Sequence, residues 1–126
     1  MAYKTDYKAV AGLGSAKDGT GHFISQRLTA IALIPLGVLF LVPFMQALGS
    51  GHAAVLATYQ HPFHALMAIG FFIVAFRHLR LGLQVVIEDY VHGDRSRLLL
   101  LIGNALIWRG FAVAGAFAVA KIALTA

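Results

Sequence analysis

Charged side chains vanish from this chain between Leu28 and Phe76, where there is not one Asp, Glu, Lys or Arg. A bilayer core about 30 Å thick takes roughly 20 apolar residues as helix, so that stretch is long enough for two spans and the loop between them. A third apolar run, Leu98 to Leu124, is interrupted only by Arg109 and Lys121. The pattern predicts an all-α membrane protein with three transmembrane helices, at about 23–48, 62–91 and 97–124. An N-terminal segment, 1–22, precedes them, and 23–126 forms the transmembrane domain. Pro35 and Pro43 fall inside the first span, where each removes a backbone donor and a bend is expected. The stretch "GSGHAAVLATYQHP" reads as the first connection, with Pro62 suited to the first turn of the second helix. "HGDRS" reads as the second turn, with Gly93 as a stop and Asp94 or Ser96 as a cap.

Composition agrees with a membrane location. Of 126 residues, 60% are hydrophobic and 12% charged, and mean hydropathy is +0.79. A water-soluble fold needs a polar face that this chain lacks the residues to build. There is no cysteine, which excludes a thiolate-bound metal, an iron–sulfur cluster and a disulfide on this chain. The net charge of +5 does not point to nucleic acid, because the basic residues flank the apolar runs and form no separate patch. A polar N-terminal segment followed by a run long enough to span also argues against a secretory signal. "GLGSAKDGTGHF" is glycine-rich but matches no phosphate-loop pattern and reads as a flexible cytoplasmic segment.

The placement of Lys and Arg gives an orientation. Lys4, Lys8, Lys17 and Arg27 precede or begin the first span, and Arg77, Arg80, Arg95 and Arg97 surround the second turn. The first connection carries neither residue. The positive-inside rule therefore puts the N-terminus and the second turn on the cytoplasmic side of the inner membrane. The first connection and the C-terminus face the opposite side.

The second span carries the chemistry. At about 100° per residue, His64, Ala68, Phe71, Ala75, His78, Gly82, Val85 and Asp89 form one stripe. His78 lies about 24 Å along the helix from Pro62, within the hydrocarbon, and Asp89 and Tyr90 lie about 17 Å beyond it, at the membrane surface. Small residues flank His78, and Gly82 is expected to leave space beside the imidazole for a flat ligand such as haem. The other reading of His78 is a hydrogen bond to a neighbouring helix, with the small residues serving packing alone. Asp89 and Tyr90 suit a surface site equally as a solvated acid and an interfacial phenol.

His78, ten intervening residues, then Asp89-Tyr90, with Gly82 four after the histidine, resembles the small cytochrome b anchor subunit of succinate dehydrogenase (respiratory complex II). "HFISQRLTAIAL" at 22–33 is similar to the same family's approach to its first helix. The resemblance implies a second three-helix anchor subunit as partner, and docking of an iron–sulfur subunit and a flavoprotein subunit. It implies one haem b, shared with the companion anchor through one axial histidine from each, here His78. It implies a ubiquinone site in which Tyr90 donates to a quinone oxygen and Asp89 supports it or supplies protons. Arg27, His22 and Arg80 would then lie near the haem propionates or the quinone pocket. Succinate oxidation would belong to the soluble partners, and this chain would not be catalytic alone.

Two other functional classes fit the residues. One is a haem-free anchor in which His78 only packs. The other is a small transporter subunit with His78, Asp89 and Arg109 on a proton path. His64 lies about 21 Å from His78 along the helix, too far to share one iron, and reads as a polar contact at the outer interface or as ligand to a second haem. Arg109 falls near the middle of the third span, where it must snorkel, meet a partner's acid or approach the haem.

Overall fold

The structure is a computed structural model that describes residues 19–125. The expected N-terminal segment, with Lys4, Lys8 and Lys17, lies almost wholly outside the described residues. Four helices follow in order: α1 (Gly19–Leu48), α2 (His52–Gln60), α3 (Pro62–Tyr90) and α4 (Asp94–Leu124). The described residues form no strand. Helices α1, α3 and α4 are each long and apolar enough to cross a membrane, as the hydropathy pattern requires. Helix α1 begins at Gly19, earlier than Phe23, because its polar first turn continues the helix beyond the apolar run. It is continuous through Pro35 and Pro43.

The first connection is not a plain loop. It contains α2, whose polar–apolar pattern was too short to read as a helix. Gly51 precedes it with φ of +91°, a left-handed conformation that favours glycine. His61 caps α3, its Nδ1 accepting from the Phe63 amide at 3.3 Å, and Pro62 takes the first turn, where a missing N–H costs nothing. At the second turn no side chain caps α4. Ser96 Oγ instead donates to the Gly93 carbonyl at 2.9 Å, and Asp94 sits in the first turn of α4, where its charge complements the helix dipole.

Helix α3 is central. Helices α1 and α4 both pack against it and not against each other, so the three spans form a row. Helix α2 lies across one end of the row and touches all three. A cluster of buried side chains lies there: Tyr59, Ala65, Ala68 and Val119, with Phe40, Phe72 and Ile122 packed on them. Tyr59 is 4% exposed and its hydroxyl donates to the Phe40 carbonyl at 3.2 Å, tying α2 to α1. Burial raises the Tyr59 phenol above its ordinary pKa, which keeps it a donor. An aromatic chain runs through the row, from Phe40 on Phe71 (centroids 4.6 Å apart) to Phe76 on Trp108 (5.9 Å). Elsewhere large apolar residues face outward, such as Ile34 (70% exposed) and Phe117 (69%), as hydrocarbon surroundings permit.

Helices α3 and α4 approach closely at Gly115, where a Cβ would stand 2.9 Å from Phe72 Cγ. Overpacking of this kind typically costs about 1–3 kcal/mol. Gly115→Ala is expected to lower the thermal midpoint of the protein in detergent. Gly103→Ala, at a glycine with open space around it, is expected to leave the midpoint unchanged or raise it.

Candidate functional site

The α1–α3 contact brings together residues far apart in sequence. His78 projects from α3 toward α1, half-buried, and its Nδ1 lies 2.9 Å from Thr29 Oγ1. Thr29 is 7% exposed, and its hydroxyl also reaches the carbonyls of Ser25 (2.8 Å) and Gln26 (3.0 Å) one turn back on its own helix. The hydrogen bond engages Nδ1, which leaves Nε2 as the ring nitrogen for a ligand.

Gly82 lies one turn from His78 on the same face, and α1 fills the space beside it. A Cβ there would meet Gln26 Nε2 at 3.6 Å. The expected gap for a flat ligand is thus partly taken by Gln26 in this chain alone. Gln26 Oε1 and His22 Nε2 are both buried without a hydrogen-bond partner. His22, Gln26 and Thr29 recur at intervals of four and three residues, so they share the face of α1 turned to α3. A polar strip therefore runs from the start of α1 down to His78, with two unsatisfied atoms along it. Buried polar atoms without partners call for a partner in the assembled state, since leaving one unpaired costs about 1–3 kcal/mol.

The other expected residues divide between this region and another. Arg27 lies at nearly the level of Thr29 but on the exposed side of α1, its guanidinium 5.3 Å from the centre of the Phe23 ring. Asp89 and Tyr90 end α3 and are exposed, Tyr90 by 78%. Arg80 lies nearly opposite His78 around α3, where it lines a cleft of about 200 Å³ against α4 with Arg77, Phe76, Trp108 and Arg109. The Arg80 carbonyl accepts from Asn104 Nδ2 at 3.0 Å, which joins α4 to α3 at this point. His64 borders a separate cleft of about 320 Å³ near α2, with Gln46, Ser50 and Thr58, and its Nδ1 is buried and unpaired.

Sequence reasoning gave Thr29 and Gln26 no role. Their signal was present: His22, Gln26 and Thr29 are polar residues at helical spacing at the start of a largely apolar helix. Among the described residues no group of three His, Cys, Asp or Glu could enclose a bare metal ion. A haem brings four nitrogens of its own and asks the protein only for axial ligands, so a single imidazole with a free Nε2 fits that group.

Comparisons with known proteins place the chain in a family. Residues 1–116 match the succinate dehydrogenase/fumarate reductase transmembrane subunit family. A succinate dehydrogenase hydrophobic membrane anchor subunit of Paracoccus denitrificans is 34% identical over 126 residues, covering 100% of this chain and 97% of its own length. The protein of the same name from Rickettsia bellii is 29% identical over 104 residues, covering 82% of this chain and 83% of its own length. A succinate dehydrogenase membrane anchor subunit of Reclinomonas americana is 31% identical over 85 residues, covering 65% and 71%. No solved structure matches the chain significantly. A row of three apolar helices, with one histidine held between the first two spans, is thus found in a chain that belongs to the succinate dehydrogenase/fumarate reductase transmembrane subunit family.

Proposed function

We propose that this chain is a membrane anchor of succinate dehydrogenase that holds half of a haem b site and one wall of a ubiquinone site. One observation carries the reading. A single helix, α3, presents an imidazole tied to α1 within the span and an exposed acid–phenol pair at its end, about 17 Å apart. Family membership supports association with the other subunits of such a complex; in this reading they are a companion anchor subunit, an iron–sulfur subunit and a flavoprotein subunit.

In this reading His78 Nε2 would hold the haem iron from this chain, and the companion anchor would supply the second protein ligand. When bound, the haem supplies a one-electron carrier inside the bilayer. The protein's residues act around it. Tyr90, exposed at the end of α3, donates a hydrogen bond to a quinone carbonyl oxygen and stabilises the negative charge that develops there on reduction. Reduction to the quinol takes two protons as well as two electrons, and Asp89 beside Tyr90 connects the site to water as a proton donor. Arg27 offers a guanidinium free to meet a propionate or the quinone pocket, and His22 Nε2 offers a buried nitrogen in need of a partner. Arg80 was expected in the same group. It lies in the α3–α4 cleft, on the other side of α3 from His78, which favours Arg27 for the propionate role.

The competing reading is a haem-free anchor in which His78 only ties α1 to α3, and the Thr29 hydrogen bond suits that role too. In either reading the positive-inside pattern puts the start of α1 and the α3–α4 turn on the cytoplasmic side.

Two results are expected. Tyr90→Phe should reduce succinate:quinone turnover by about tenfold or more, as removal of a developing-charge donor does. Succinate oxidation by a soluble dye that bypasses the quinone site should be unchanged in the same complex. Equal loss of both activities would show a structural role instead. Orientation is read by single-cysteine labelling, which the absence of native cysteine makes clean. His52→Cys on α2 should react with an impermeant maleimide from the periplasmic side, and His92→Cys only after the membrane is opened.

A further inference from the structure

We infer that Thr29 is a positioning residue for the haem ligand: its hydroxyl fixes the tautomer of His78 and so frees Nε2 for iron. The inference rests on the proposed ligand role of His78.

The argument is a proton count. A neutral imidazole has one N–H and one bare nitrogen, and the bare one binds metal. Thr29 has a single hydroxyl proton and three neighbours within hydrogen-bond distance: Ser25 O at 2.8 Å, Gln26 O at 3.0 Å and His78 Nδ1 at 2.9 Å. Two of these neighbours are carbonyl oxygens, which only accept. The hydroxyl proton satisfies one of them, and the oxygen then has lone pairs left for the third neighbour. With the hydroxyl proton on a carbonyl, His78 Nδ1 is the donor and carries the ring proton. Nε2 is left bare, pointing away from α1.

The reverse arrangement is disfavoured. If Thr29 donated to Nδ1, both backbone carbonyl contacts would lie idle at hydrogen-bond distance and Nε2 would hold the proton. Thr29 is 7% exposed, so bulk water does not compete for its hydroxyl. Thr29 is also β-branched, which restricts the rotation of its side chain on the helix. A ring held this way is aimed as well as protonated. An N–H donated to a fixed oxygen makes the opposite nitrogen a stronger electron donor, which favours the ferric state.

The test is a set of Thr29 variants in the complex purified with its companion subunits, read by redox titration of the haem and by haem per assembled complex. Thr29→Val keeps shape and removes the hydroxyl; Thr29→Ala removes both; Thr29→Ser keeps the hydroxyl and removes the methyl. The expected result is a more positive midpoint potential in Thr29→Val and Thr29→Ala, with haem retention weakened by about tenfold or more. Thr29→Ser should stay at the wild-type potential. The potential is read per haem, so a low yield of complex does not affect it. A wild-type potential in either hydroxyl-free variant would overturn the inference. Loss of assembly in both, judged by dye-linked succinate oxidation in membranes, would also overturn it and make Thr29 a folding residue. His78→Ala, run alongside, separates the two claims. If it leaves the haem unaltered, the ligand assignment itself fails; if the haem is lost there but Thr29→Val is unaffected, only the tautomer assignment fails.

Discussion

An imidazole inside hydrocarbon must have both ring nitrogens accounted for, because no water is at hand to satisfy them. That constraint organises this chain. His78 meets it on one side through Thr29, a residue that α1 supplies from near the beginning of the described chain. For the hydrogen bond to form, α1 and α3 must run side by side with Thr29 level with His78. Gly82 then sits against Gln26, and His22 falls on the same facing strip. In the proposed function the other nitrogen is what the site offers to something outside this chain.

The rest of the fold holds that alignment with little buried volume. The helices form a row and not a closed bundle, so few side chains are enclosed and many large apolar ones face outward. In water this would be unstable, but in lipid there is no cost in leaving an isoleucine or phenylalanine exposed. Helix α2 and Tyr59 fasten one end of the row, where the buried cluster lies. Gly115 lets α4 close on Phe72, and Asn104 bonds the Arg80 carbonyl nearer the other end. The end of α3 carrying Asp89 and Tyr90 is left open. In the proposed function that is where soluble subunits and quinone meet the anchor.

The three spans were legible because apolar length is a direct readout of bilayer thickness, and the side of α3 bearing His78 followed from helical periodicity. What periodicity cannot supply is the neighbour. Gly82 read as open space, and the structure brings Gln26 into ordinary contact distance of it, because facing residues on another helix leave no trace in local spacing. Arg80 shows the same limit: two residues from His78 in sequence, it points into the cleft with Arg109. Helix α2 escaped notice because nine residues between turn signals look like loop, and its stability comes from Tyr59 reaching Phe40, a tertiary contact. Thr29 appeared only as one letter of "HFISQRLTAIAL"; its importance depends on a partner 49 positions along the chain.

The central claim is that the ring nitrogen left free at His78 is bound to haem iron. The most direct measurement is the dithionite-reduced minus oxidised absorption spectrum of the membrane complex purified through this chain, wild type beside His78→Ala. The account predicts a b-type haem signal in the wild type that is lost or altered in the variant. A wild-type signal that persists unchanged in His78→Ala, or no haem signal in the intact wild-type complex, would contradict it.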